Sequence, residues 1–102
     1  MDQINTRRQL ETDLTELIRM LTRLGKMSEE SLTRSVWALK NQNAAVAREI
    51  INRDDAIDDL AAELDMACMQ FTARFQPLGE DLRAVSSIMH MAVDLERVGD
   101  YA

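Results

Sequence analysis

Apolar residues recur every three or four positions along most of the chain, which places them on one face of an α-helix. Between residues 10 and 39 the recurring positions are all apolar except Ser28. This pattern predicts a first helix over about residues 7–40, with Asn5 or Thr6 as its N-terminal cap. Its apolar face comprises Leu10, Leu14, Leu17, Leu21, Leu24, Leu32, Val36 and Leu39.

Two further helices follow by the same criterion. The polar stretch Asn41-Gln42-Asn43 ends the first pattern, and the next apolar stripe predicts a helix over about residues 44–75. Gln76-Pro77 then breaks the chain, and proline fits the first turn of a helix, so we expect a third helix over about residues 78–101. The two stripes are Val46, Ile50, Ile57, Leu60, Leu64, Cys68, Phe71 and Phe75, and Leu82, Val85, Ile88, Met89, Ala92 and Leu95.

Three long amphipathic helices joined by short turns favour an all-α fold. None of them can bury its apolar stripe alone, so each must pack against the other two. We therefore expect an antiparallel three-helix bundle, up-down-up, that forms a single domain over residues 1–102.

Composition supports this fold and limits the partners. The chain is 46% hydrophobic but only 4% aromatic, and its net charge is −6. Such an excess of acid argues against nucleic acid as a partner. No apolar run reaches the roughly 18 residues of a membrane span, and the N-terminus lacks the apolar segment of a secretory signal. We therefore expect a cytoplasmic protein.

Few residues offer catalytic chemistry. The single cysteine, Cys68, excludes an internal disulfide, and its apolar neighbours favour a buried thiol. We expect the seven methionines and Trp37 to pack in the core. The lone histidine, His90, falls on a polar helix face without a nucleophile nearby in sequence, and no glycine-rich phosphate loop is present. The sequence therefore predicts no enzyme.

Two pairs of carboxylates stand out from this pattern. Glu96 and Asp100 lie within the apolar arc of the third helix, and Asp54 and Asp58 lie beside the core stripe of the second. Burial of a carboxylate is unfavourable unless it is protonated, paired with arginine or bound to a cation. The acids therefore predict either a site for a cation such as iron, zinc, magnesium or calcium, or a solvated rim. In the second case the candidate partners are Arg48, Arg53 and Arg97.

Two motifs at this point resemble a known family. The pattern Q-P-x-x-x-D-L-R, from Gln76 to Arg83, is followed by L-E-R-V-G-D, from Leu95 to Asp100. Together they resemble the PhoU family, regulators of the phosphate-specific transport system. The resemblance covers essentially the whole chain. It implies one three-helix repeat of a fold that has two in the family, and this sequence matches the first repeat.

The resemblance also implies a metal site and a set of partners. E/D-x-x-x-D motifs bind clusters of iron or zinc in some members, and here they match Asp54/Asp58 and Glu96/Asp100. An acid often found at the position of Ala61 is absent. The implied function is a non-enzymatic adaptor that represses a sensor histidine kinase through contact with the phosphate transporter ATPase.

Two alternatives to the adaptor remain open from the sequence. One is a metal-binding bundle that holds iron or zinc, with regulation secondary. The other is a plain structural bundle that dimerises. A single repeat leaves one face uncovered, so we expect a homodimer in which a second copy takes the place of the other repeat.

Overall fold

The computed structural model describes the backbone of residues 2–101 and the side chains of residues 6–52 and 54–98. It consists of three helices, α1 (Asp2–Asn41), α2 (Ala44–Phe75) and α3 (Glu80–Tyr101), and residues 2–101 contain no strand. Each helix contacts the other two. The result is an elongated bundle that measures 61 × 18 × 16 Å. The predicted all-α fold is therefore confirmed. In the part of the chain that is described, no helix is apolar enough over its length to cross a membrane.

The bounds of α2 follow from its two ends. The Asn43 side chain accepts a hydrogen bond from the Val46 backbone N–H at 3.1 Å, which satisfies a donor that the first turn would leave free. At the other end Gln76 adopts a left-handed conformation, with φ 45°, and its N–H donates to the Thr72 carbonyl. That conformation cannot continue a right-handed helix, so α2 stops at Phe75.

The third helix starts later than the sequence predicts. We expected a start near Leu78 with Pro77 in the first turn, but α3 begins at Glu80. The reason is Gly79, which has φ 58°, in the left-handed region that favours glycine. Its carbonyl accepts the first helical hydrogen bond, from the Arg83 N–H, so Gly79 caps the helix. Pro77 instead lies buried in the connection.

The first helix starts earlier than predicted. It begins at Asp2 rather than near Arg7, and Asn5 and Thr6 lie within it instead of capping it. No proline or glycine interrupts this segment. A polar residue inside a helix lowers helix stability by only a few tenths of a kcal/mol relative to alanine. The helix therefore extends back to Asp2.

The core lies along the shared axis of the three helices. Leu24, Leu64 and Cys68 are completely buried, and Ile57 and Val85 are nearly so. The buried side chains of the main apolar cluster come from the predicted stripes, together with Ala61. A methyl group at Gly25 would lie 3.7 Å from a Leu95 methyl carbon, an ordinary van der Waals distance, so the packing of α1 against α3 would accept alanine there.

Several side chains predicted for the core lie at the surface. Leu39 is 81% exposed, and Leu32, Val36 and Leu82 are about half exposed. Trp37 and three of the methionines, Met66, Met69 and Met91, are exposed as well, so their assignment to the core was wrong. Leu32, Val36 and Leu39 lie towards the C-terminal end of α1. There α2 is the neighbouring helix and, among the described residues, α3 provides little cover.

Ion pairs and one hydrogen bond fix how the helices are aligned. Arg34 pairs with Glu49 at 3.1 Å, and Arg74 pairs with Asp13 at 3.4 Å, which sets α1 antiparallel to α2. The Arg7–Asp81 ion pair, at 2.6 Å, and the hydrogen bond that the Ser28 hydroxyl donates to the Leu95 carbonyl, at 3.0 Å, together set α1 parallel to α3. The observed topology is thus up-down-up.

Candidate functional site

The alignment of the helices brings the predicted acids of α2 and α3 to one level of the bundle. From the two α1–α2 ion pairs, Asp54 lies roughly opposite Ser31, and Asp58 lies about one turn further along, near Ser28. Glu96 directly follows Leu95, whose carbonyl accepts the hydrogen bond from the Ser28 hydroxyl. Asp54, Asp58 and Glu96 are therefore neighbours along the bundle axis.

Asp54 is the most enclosed of these acids. Its residue is half-buried, and its Oδ1 atom is buried without a hydrogen-bond partner in the described structure. A buried carboxylate oxygen that lacks a partner is costly, about 1–3 kcal/mol or more for a charged group. A bound cation is one way to remove that cost.

The other predicted ligands differ in their exposure. Glu96 is half-buried and Asp58 is exposed, and each of the two takes part in a polar interaction within the structure. Asp100 lies outside the residues whose side chains are described. Over residues 6–52 and 54–98, no three His, Cys, Asp or Glu side chains come together as a group that could hold a metal ion. The four-residue metal site therefore stays a prediction.

The solvated-rim alternative names three arginines as partners of these acids. Arg48 and Arg97 are exposed, and the Arg53 side chain is outside the described residues. The arginine pairings that the structure does show lie elsewhere, such as Arg34 with Glu49. The rim alternative also stays open.

Two buried serines of α1, Ser28 and Ser31, lie at the level of these acids. We call this pair the serine layer. Ser28 is 1% exposed and donates to the Leu95 carbonyl. Ser31 is 5% exposed, and its hydroxyl has no hydrogen-bond partner among the described residues. The sequence signalled Ser28 as the one polar residue in the α1 stripe, but Ser31 falls outside that stripe and gave no signal.

Two titratable groups elsewhere have shifted pKa values. Burial in the core, and secondarily the negative charge of Asp65, raise the pKa of the Cys68 thiol, and the predicted burial of this cysteine is confirmed. A hydrogen bond to Asp81 raises the pKa of the Arg7 guanidinium above its usual value. The Arg7 Nη1 atom lies 2.6 Å from Asp81 Oδ2, which ties the start of α3 to α1.

An open apolar groove lies at the end of the bundle where α1 turns into α2. We call it the tip groove; it has a volume of about 430 Å³ and is lined chiefly by Ala38, Leu39, Ala47, Ile50 and Ile51. Ile51 is 69% exposed. The sequence did not predict this groove, because two of its lining residues, Leu39 and Ile50, continue the same periodic pattern that is buried further along the bundle.

Comparison with known proteins identifies the family. A sequence model described as the PhoU domain matches residues 21–102. The chain belongs to the PhoU family. It is 39% identical over 98 residues to a "phosphate-specific transport system accessory protein PhoU homolog" of Clostridium acetobutylicum, covering 95% of this chain and 45% of that protein. A similarly named protein of Aquifex aeolicus is 34% identical over 90 residues, which cover 88% of this chain and 41% of that protein.

These relatives are longer than the chain. The PhoU accessory protein of Edwardsiella tarda is 32% identical over 106 aligned residues, which cover all of this chain and 44% of that protein. The PhoU-family chain therefore spans less than half the length of the relatives it matches, as expected for one repeat. No solved structure matches the chain significantly.

The serine layer generates a prediction with an internal control. Ser28→Ala removes a buried hydrogen bond and leaves the Leu95 carbonyl with one partner fewer, so the free energy of unfolding should fall by about 0.5–1.5 kcal/mol. Ser31→Ala replaces an unpartnered buried hydroxyl with a methyl group, so it should leave stability unchanged or raise it by up to about 1 kcal/mol. Urea unfolding followed by circular dichroism measures both. Equal losses for the two variants would contradict the assigned hydrogen bonding.

Proposed function

We propose that the chain is a non-enzymatic regulatory adaptor of phosphate uptake in the cytoplasm. In this role it contacts the phosphate transporter ATPase and represses a sensor histidine kinase when phosphate is plentiful. The observation that carries the proposal is the match, over 95% of the chain, to a protein named as an accessory of a phosphate-specific transport system. The geometry supports it, because the helices offer exposed apolar side chains for docking.

An adaptor of this kind works through differences in binding. It shifts the equilibrium between two states of a partner only by as much as its affinities for those states differ, so it needs no reactive side chain. The described polar residues are consistent with this, since Cys68 is buried with a raised pKa and His90 is exposed on α3.

Deletion of the gene tests the adaptor role. At high phosphate the deletion strain should express a phosphatase reporter of the starvation response, because the kinase is no longer repressed. The gene supplied in trans should restore repression. The reporter is measured at high and low phosphate, with the parent strain as control. A reporter that stays silent at high phosphate after deletion would count against the adaptor.

We also propose, as a second candidate, that Asp54, Asp58, Glu96 and Asp100 hold iron or zinc. The supporting observation is the buried, unpartnered Oδ1 of Asp54, at the same level of the bundle as Asp58 and Glu96. Carboxylate oxygens suit hard and borderline cations. A bound ion would give this oxygen a positively charged partner.

Metal binding is tested on untagged protein by elemental analysis and thermal unfolding. Ferrous iron or zinc at about 100 times its dissociation constant should stabilise the fold by about 2.7 kcal/mol, and EDTA should reverse the shift. Asp54→Asn should abolish the stabilisation. Asp59→Asn, at an exposed acid one position beyond the predicted ligand Asp58, is the control. Unfolding curves that neither metal nor EDTA shifts would remove this candidate.

We further propose that the chain forms a homodimer. The exposed Leu39 and Ile51 of the tip groove support it, because exposed apolar surface of this kind is typical of interaction sites. The dimer is a separate proposal from the adaptor, so evidence against the dimer would leave the adaptor proposal standing.

Sedimentation velocity tests the dimer over about 5–500 μM protein, a range chosen for the micromolar affinity of small interfaces. The wild type should shift from monomer to dimer as concentration rises. Leu39→Lys with Ile51→Lys should weaken association about tenfold or more, because charge is placed in the apolar groove. Met91→Lys, at another exposed apolar position, is the control. A wild type that remains monomeric throughout would refute the dimer.

A further inference from the structure

The outer side of α2 carries a second apolar stripe that no other helix of the described structure covers. Its members are Ala62, Met66, Met69 and Ala73, and all four are exposed, the two methionines at 60%. The core side of the same helix is formed by other residues, among them Leu64 and Cys68, which are fully buried. Over residues 62–73, α2 is thus apolar on two sides, whereas a surface helix typically has one apolar face.

The spacing of this outer stripe is that of a coiled coil. Ala62, Met66, Met69 and Ala73 are separated by four, three and four residues. In heptad terms these are successive d, a, d and a positions, which form the seam that packs against another helix. Methionine suits such a seam, because its flexible thioether adapts to different partner side chains.

The residues beside the stripe are acidic on both flanks. Asp58 and Asp65 occupy g positions of the same heptads, and Glu63 occupies the intervening e position. All three are exposed. No lysine or arginine occurs between residues 54 and 73. The e and g positions of a coiled coil determine partner choice through charge, so this seam favours a helix with basic residues at those positions and repels an acidic one.

We propose that the outer stripe of α2 binds a basic amphipathic helix of a partner protein. The partner helix packs apolar side chains against Met66 and Met69 and places lysine or arginine beside Glu63 and Asp65. A second copy of this chain does not fit, because its own outer stripe is equally acidic. The stripe is also distinct from the tip groove.

This inference rests on the proposed adaptor function for the identity of the partner, since the transporter ATPase and the kinase are the proteins that would supply the helix. The surface itself can be tested without either of them. The stripe spans about 17 Å along α2, which corresponds to roughly three helical turns. A contact of that length predicts a weak and reversible interaction, as a regulatory adaptor requires.

The probe is a synthetic, amidated 21-residue helix with leucine at a and d and lysine at e and g. A matched peptide with glutamate at e and g serves as its control. Isothermal titration measures affinity, and amide NMR spectra of the labelled chain locate the contact. The lysine peptide should bind and shift the amide signals of residues 58–73, and the glutamate peptide should not bind.

Two pairs of variants separate the stripe from the net charge of the chain. Met66→Ala with Met69→Ala should weaken binding of the lysine peptide about tenfold, while Met91→Ala, at a methionine of similar exposure on α3, should not. Glu63→Lys with Asp65→Lys should reverse the preference in favour of the glutamate peptide. Glu29→Lys with Asp94→Lys makes the same change in net charge at exposed sites outside α2 and should leave the preference unchanged.

Three results would overturn the proposal. The first is a lysine peptide that does not bind at 500 μM, well above the micromolar affinity that a small contact provides. The second is equal weakening by the two charge reversals, which would mean attraction by net charge alone. The third is NMR shifts located on α1 or at the tip groove. A reporter that stays silent after deletion of the gene would count against the adaptor function alone. The peptide titrations would still test the outer stripe.

Discussion

The need of three helices to bury one shared apolar core is the constraint on which the structure depends. Leu24 of α1, Ile57 and Leu64 of α2 and Val85 of α3 are at most 1% exposed. Each such side chain gains about 1.5–3 kcal/mol on leaving water, a gain that no single helix of this chain would obtain. Because the core needs all three stripes at once, it also fixes which side of each helix faces outward.

Among the residues whose side chains are described, polar groups enter this core at one level, which is also the level of the predicted acids Asp54 and Glu96. The serine layer, the half-buried Asp54 and Glu96 lie within about a turn of one another along the bundle. Elsewhere the interior is filled by Leu, Ile, Val, Ala, Phe and the protonated thiol of Cys68. Unsatisfied polar atoms are costly in such surroundings, so the unpartnered Ser31 Oγ and Asp54 Oδ1 destabilise the fold at this level.

The sequence predicted the fold well where helix ends and core positions obey local rules. Asn43 ended one helix pattern and caps the next, and the α2 stripe is buried or half-buried throughout. Local rules failed at the other ends: Gly79 delays α3, and the absence of any breaker lets α1 start at Asp2. Periodicity placed Leu32, Val36 and Leu39 in the core, but it cannot say how far a neighbouring helix extends.

The same distinction applies to the site. Helical spacing was enough to place Asp54 and Asp58 beside the core and Glu96 within an apolar arc. It could not reveal that Asp54 Oδ1 is enclosed without a partner, because that depends on the alignment of three helices. The contact between Ser28 and α3 ends on a main-chain carbonyl, which every amino acid at position 95 supplies. Mutational drift at that position can therefore alter the side chain packed near Gly25 while the acceptor of this hydrogen bond is retained.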